Sequence, residues 1–165
     1  MNARKGSAIA VQVATRARVP RPARLRRWAR AALAGAAEVT LRLVGEREGR
    51  LLNHDYRGGD HATNVLSFAY GRNGAVLRGD IVLCAPVIAR EAREQRKGME
   101  AHFAHLTVHG VLHLRGYRHR TRADARRMEA RERAILRRLG YADPYNAGSG
   151  PEQEGKAETM HPRPR

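Results

Sequence analysis

Three histidines set around one glycine, in the segment His109-Gly-Val-Leu-His113-Leu-Arg-Gly116-Tyr-Arg-His119, constrain this chain more than any other feature. On a helix, His109 and His113 stand four residues apart and project from one face, close enough for both imidazoles to meet one metal ion. Gly116 can end that helix in a left-handed conformation that other residues resist, turning the chain so that His119 comes back toward the same point. Three ligands with a fourth tetrahedral position left open describe a catalytic zinc site rather than a closed structural one. His105 shares the face of His109 and His113, but a rise of about 1.5 Å per residue sets it roughly 12 Å from His113. It is therefore expected as a neighbour of the site and not as a ligand.

The spacing equals that of the metzincin proteases, H-E-x-x-H-x-x-G-x-x-H, with one difference. Gly110 stands where those enzymes carry their general-base glutamate. Peptide hydrolysis through that base is excluded, which leaves water activation by one zinc ion together with the charged groups around it.

The rest of the chain reads as a single α+β domain over residues 1–145, with a four-stranded mixed sheet and about five helices. Strands are expected at Ala8–Ala14, at Val39–Val44 with Val39, Leu41 and Leu43 on a buried face, at Val65–Tyr70, and at Asp80–Cys84 near the sheet centre. A helix follows Pro20 and Pro22, with Leu25, Trp28, Ala32 and Leu33 as its apolar stripe and Arg24, Arg26, Arg27 and Arg30 on the other face. A second spans Glu46–Tyr56, with Leu51 and Leu52 as its apolar contribution. Gly71, Asn73 and Gly74 supply turn chemistry. Pro86 opens a third helix that Gly98 closes, a fourth runs from about Glu100 to Arg115, and the last from about Thr121 to Leu139. Thr121 and Asp124 form its capping-box variant and Gly140 its stop. Beyond Tyr145 the composition shifts to Gly, Ser, Pro and Glu, so residues 146–165 are expected to be a disordered tail.

No apolar run approaches the roughly 20 residues of a membrane span, and the apolar stretch after the basic first residues is short and broken by Gln12. A cytoplasmic protein without a membrane partner is expected. The single cysteine, Cys84, lies in an apolar run, has no partner for an internal disulfide and reads as a buried small hydrophobe. The formal charge is +16, and only Lys5, Lys97 and Lys156 among the 32 basic residues are lysines. Arginine matches phosphate oxygens with its planar fork, so a polyanionic partner is favoured. Part of the excess is equally read as arginines decorating solvated helix faces.

The sequence resembles the YbeY family of bacterial endoribonucleases, the rRNA maturation factors, whose signature is H-G-x-L-H-L-x-G-Y-D-H. Residues 52–68, Leu-Asn-His-Asp-Tyr-Arg-Gly-Gly-Asp-His-Ala-Thr-Asn-Val-Leu-Ser-Phe, are similar to its L-N-x-x-Y-R-x-K-D-x-P-T-N-V-L-S-F block. Gly79-Asp80-Ile81, Glu91-Ala92 to Gln95 and residues 139–145 match further segments. The resemblance runs from about Val39 to Tyr145. It implies a zinc-dependent, single-strand-specific endoribonuclease that acts on rRNA, notably in 3′-end maturation of the small-subunit rRNA, and in ribosome quality control. Its partners would be rRNA, the small ribosomal subunit and ribosome-assembly proteins.

Carried over by position, His109, His113 and His119 are metal ligands, with His113 essential to catalysis. Arg57 is the basic residue that faces the substrate, either stabilising charge on the phosphoryl oxygens or simply attracting phosphate. Asp80, by contrast, reads equally well as an acceptor for backbone donors at the start of a strand, and Asn64 and Ser67 as packing residues. Three positions depart from the pattern: Tyr117-Arg118-His119 for Y-D-H, Gly59-Asp60 for K-D, and Ala62-Thr63 for P-T. Arg118 cannot orient an imidazole as a carboxylate would. Either it points to solvent and gathers RNA, or the site holds zinc less tightly. A competing reading is a non-catalytic, zinc-containing ribosome-assembly factor that grips RNA with its basic surface.

Overall fold

The structure is a computed structural model that describes residues 6–145, apart from the side chain of Arg57. The tail expected at residues 146–165 lies outside the described residues. Along the chain stand β1 (Ser7–Ala14), α1 (Pro22–Ala32), β2 (Ala37–Val44), α2 (Glu46–Arg57), β3 (Val65–Asn73), β4 (Val76–Cys84), α3 (Ala85–Glu94), α4 (Met99–Leu114) and α5 (Arg122–Leu139). The strands form one sheet in the order β1-β2-β4-β3. β1 and β2 pair in parallel, as do β2 and β4, while β3 runs antiparallel to β4 and leaves one edge of the sheet open. The α+β architecture with a mixed four-stranded sheet and five helices is the expected one.

Period-2 patterning decides which residues go where. Ile9, Val39, Leu41, Leu43, Val65, Leu77, Ile81 and Leu83 face the main core, which α1, α4 and α5 close with Leu25, Trp28, Phe103, Leu112, Met128 and Leu136. The opposite face is also apolar at one end, where Val44, Leu66, Phe68, Val82 and Cys84 lie beneath Leu52, Ala62 and Val87. This two-sided burial explains the unbroken apolar run of β4 and corrects the one-sided picture of β2, whose Val44 is fully buried. Cys84 is a buried free thiol, and burial pushes its pKa up.

Several local expectations change. Gly71 is not a turn residue. It sits at a bulge where the β3–β4 register shifts, with φ +86, and the two-residue turn comes later, with Gly74 in the left-handed region at φ +61. Gly98 does not stop α3, because that helix ends at Glu94, Arg96 takes the left-handed conformation, and Gly98 is the N-cap of α4. Leu51 is solvent-exposed, since the inner face of α2 falls on Leu52 and Asn53. Asp80 is in the middle of β4, not at its start, and accepts a hydrogen bond from Tyr70 Oη at 2.7 Å that helps push the phenol up to about 12. The start of α5 is as expected, with Thr121 Oγ1 accepting from the Asp124 amide at 3.0 Å. No helix among the described residues is long and apolar enough to cross a membrane.

Candidate metal centre and its surroundings

α4 is buried on nearly every side, so its polar residues are conspicuous. Two close approaches seat it. A Cβ built on Gly79 of β4 would come within 2.6 Å of Leu114 Cδ2, and one on Gly110 within 2.9 Å of Ile81 Cγ2. Helix and sheet touch only because those positions are glycine. Ser67 Oγ of β3 donates to the Gly110 carbonyl at 3.1 Å, fastening the edge strand to the helix between its two central histidines. The glutamate that metzincins carry at that point has no room here.

The helix ends as anticipated. Gly116 adopts φ +102, its amide bonds to the His113 carbonyl, and the Tyr117 amide reaches back to the Leu112 carbonyl, each at 3.0 Å. This turn brings the His119 ring to 5.2 Å from that of His113 and 6.2 Å from that of His109, centroid to centroid. The rings of His109 and His113 are 4.5 Å apart, with their Nε2 atoms separated by 3.0 Å. All three histidines therefore gather at one place.

Each helix-borne imidazole is held from behind. His109 Nδ1 lies 2.5 Å from Glu132 Oε1, and His113 Nδ1 lies 3.0 Å from the Tyr117 carbonyl. A carboxylate or carbonyl beside Nδ1 places the proton there and leaves the lone pair on Nε2. Two such lone pairs facing each other at 3.0 Å repel unless a cation lies between them, and this donor set fits a metal ion. Arg118 is not directed simply to solvent. Its Nη1 donates to the carbonyls of His113 and Tyr117 at 3.1 and 3.0 Å, so it grips the acceptor that orients His113.

Glu132 is the site residue that the sequence reading missed. It comes from α5, is fully buried, and receives His109, His105 Nε2 at 2.7 Å and the Tyr145 hydroxyl. Burial alone would raise its pKa, but the electrostatic interaction with His109 and the hydrogen bonds from His105 and His109 outweigh that and hold the carboxyl well below the usual range. Burial and the neighbouring carboxylate drive Tyr145 up, while burial lowers both His105 and His119. His105, His109 and Glu132 each offer a ligand atom within 4.8 Å of the others, and this group could hold one metal ion. Its signal in the sequence was faint: Glu132 lies on the apolar stripe of Met128, Ile135 and Leu136.

The remaining expected residues divide. Asn64, just before β3, donates to Glu91 of α3 at 3.1 Å, and Glu91 in turn bonds His102 of α4 at 3.0 Å, so Asn64 braces the segment leading into β3. Arg57 is the last residue of α2, and its side chain lies outside the description. The loop after it is tied down by Asn53 Nδ2, which donates to the His61 carbonyl at 2.7 Å. A Cβ on Gly59 would come within 2.4 Å of that nitrogen, so the glycine is required for the packing seen here.

Fold and site together define an α+β domain in which a buried helix presents a histidine cluster able to hold a metal ion beside an open sheet edge. The chain belongs to the YbeY family, since residues 15–140 match the family described as Endoribonuclease YbeY. A relative from Aromatoleum aromaticum named Endoribonuclease YbeY is 58% identical over 136 residues, covering 82% of this chain and 88% of its own. One of the same name from Bordetella pertussis is 59% identical over 142 residues, covering 79% and 90%. The solution structure of a Thermotoga maritima protein shares the fold with a TM-score of 0.51 at 21% identity, covering 88% of this chain and 99% of that one.

Proposed function

We propose that this chain is a zinc-dependent, single-strand-specific endoribonuclease of rRNA maturation, with His109, His113 and His119 holding one zinc ion. The observation that carries the assignment is the 3.0 Å gap between the Nε2 atoms of His109 and His113. Two nitrogens bound tetrahedrally to one zinc at about 2.0–2.1 Å stand roughly 3.3 Å apart. By the same measure, the 2.5 and 2.7 Å separations from Glu132 to His109 and His105 are hydrogen-bond lengths, too short for two ligands of one ion. Glu132 is thus better read as the group that orients His109 than as a ligand itself.

When bound, zinc supplies Lewis acidity that brings water and a phosphoryl oxygen toward reaction near neutral pH. The protein's own groups do the rest. Glu132 and the Tyr117 carbonyl fix the tautomers of His109 and His113, Arg118 holds that carbonyl in place, and Ser67 locks the edge strand against the helix. Arg57, at the end of α2, is assigned to the phosphodiester, where a guanidinium offsets charge gathering on the phosphoryl oxygens. The names of the relatives, the net charge of +16 and the lack of a base at Gly110 all favour RNA over peptide as substrate. Within this reading the protein works in the cytoplasm on small-subunit rRNA 3′ ends and in ribosome quality control, alongside ribosome-assembly proteins.

Metal content and cleavage of a single-stranded RNA, measured on one nuclease-free preparation, test the proposal. His113→Ala and His119→Ala are expected to lose both zinc and cleavage, and Arg57→Glu to keep zinc and lose cleavage. His105→Ala should retain zinc. Should His105→Ala lose the metal while His119→Ala keeps it, the ligands are His105, His109 and Glu132 instead. Tight RNA binding with no cleavage by zinc-loaded protein would transfer the chain to the class of non-catalytic assembly factors.

A further inference from the structure

Two arginines meet beside the point where the end of α4 approaches the end of α1. Arg115 caps α4, and its Nη1 donates to the carbonyl of Ala32, the last residue of α1, at 2.8 Å, while its guanidinium lies 5.4 Å from the centre of the Tyr117 ring. Arg72, near the end of the open-edged strand β3, is exposed and pairs across the ladder with Leu77. Between these two arginines is a cavity of about 120 Å³, walled also by Leu77 and residues 33–36. No carboxylate lines it, and among the described residues neither arginine has a salt bridge.

We propose that Arg72 and Arg115 form a subsite for one backbone phosphate of single-stranded RNA, beyond the histidine cluster along the β3 edge. The inference rests on the endoribonuclease reading for its choice of polyanion. Two guanidiniums flanking an acid-free cavity present several N–H donors to an anion of phosphate size. Arg131 adds to the field: after burial, it and Arg72 are the groups that lower the Arg115 pKa, and an anion bound between them relieves that repulsion. The strand gives the direction, because Ser67, fastened to Gly110 beside the histidines, and Arg72 lie on the same edge strand. A chain cleaved at the histidines and running along β3 reaches Arg72 and Arg115 a few nucleotides later. Arg72 lies outside the segments that carry the family resemblance, and Arg115 stands at a variable position of the H-G-x-L-H-L-x-G-Y-D-H signature.

The test is anisotropy titration of the full chain with a fluorescein-labelled single-stranded 2′-O-methyl 12-mer, recovered intact afterward, across a range of salt concentrations. Arg72→Glu is the primary variant, because the Arg72 side chain is exposed and, among the described residues, makes no salt bridge. Arg16→Glu, an equal charge change at an exposed position beyond β1 on the opposite sheet edge, is the control. Arg72→Glu is expected to raise Kd roughly five- to tenfold at low salt and to reduce the slope of log K against log salt by about 0.7, one single-strand phosphate contact. Arg16→Glu should change both much less. Equal effects of the two variants, or none from Arg72→Glu, overturn the subsite, since attraction would then belong to the overall charge. Displacement of the 12-mer by low-millimolar inorganic phosphate at matched ionic strength would identify a free-phosphate site and overturn the RNA assignment. The readout is binding of an uncleaved strand, so a failed nuclease assay leaves a positive result standing and a successful one cannot rescue a negative result.

Discussion

α4 and α5 lie side by side and build the same site, yet they do so in opposite ways. α4 is buried around almost its whole circumference and sets its histidines among Phe103, Leu106, Val108 and Leu112. α5 is an amphipathic surface helix rich in arginine, and only Met128, Glu132, Ile135 and Leu136 are buried. In α4 the functional groups interrupt an apolar run, and every neighbour is within packing distance. In α5 a single acid reaches inward from a charged surface. Change in the first helix should therefore be felt through volume, and change in the second through charge.

Gly110→Glu is the harshest test of that contrast. Its Cβ would press on Ile81 Cγ2, and the carboxylate behind it would be driven into the core beside Ser67. Overpacking and a buried unpaired charge together are expected to cost more than about 4 kcal/mol, most of the stability of a domain at the lower end of the ordinary range. Urea denaturation followed by circular dichroism measures it. A folded, stable Gly110→Glu protein would show that α4 is not pressed against the sheet as described.

Next in size is Glu132→Ala set beside Glu129→Ala, one turn apart on α5. Glu132 is fully buried and accepts hydrogen bonds from the imidazoles of His105 and His109, so its removal, which leaves both donors buried without an acceptor, should cost about 3 kcal/mol. Zinc affinity should also fall by roughly 10- to 100-fold, as for the loss of a group that orients a ligand. Glu129, on the surface and 3.9 Å from Arg133, should matter by less than about 0.5 kcal/mol. Similar losses at the two positions would mean that Glu132 is not the inward anchor.

The same contrast explains what could be read from the chain beforehand. His109, His113 and His119 were legible because polar residues stand out in an apolar helix and because Gly116 marks its end. Glu132 was not, since in the run Arg126-Arg-Met-Glu-Ala-Arg-Glu-Arg-Ala one glutamate looks like another, and only the register with Met128 and Ile135 separates it from Glu129. The order of strands and helices followed from hydrophobic periodicity. The bulge at Gly71 and the left-handed turn at Arg96 did not, because the sheet register and the packing of α3 against α4 decide them. The inward fold of Arg118 was likewise hidden, for it depends on which carbonyls the Gly116 turn exposes.

The smallest effect belongs to an acid that is neither buried nor part of the site. Glu48 of α2 takes both of its bonds from Arg42 of β2, at 2.7 and 2.8 Å, with its side chain 36% exposed. The hydrogen bond from Arg42 holds its pKa below the ordinary 4.5, against the opposing effect of burial. A carboxyl whose folded pKa is depressed stabilises the protein above its unfolded pKa and loses that contribution as pH falls through the folded value. Solvent screening keeps the amount under about 1 kcal/mol. The stability gap between wild type and Glu48→Gln should therefore be present at pH 7 and shrink below pH 4.5, as read from urea midpoints at the two pH values. A gap of unchanged size in acid would assign the glutamate's contribution to packing on β2, leaving Glu132 as the acid in this comparison whose charge matters to the fold.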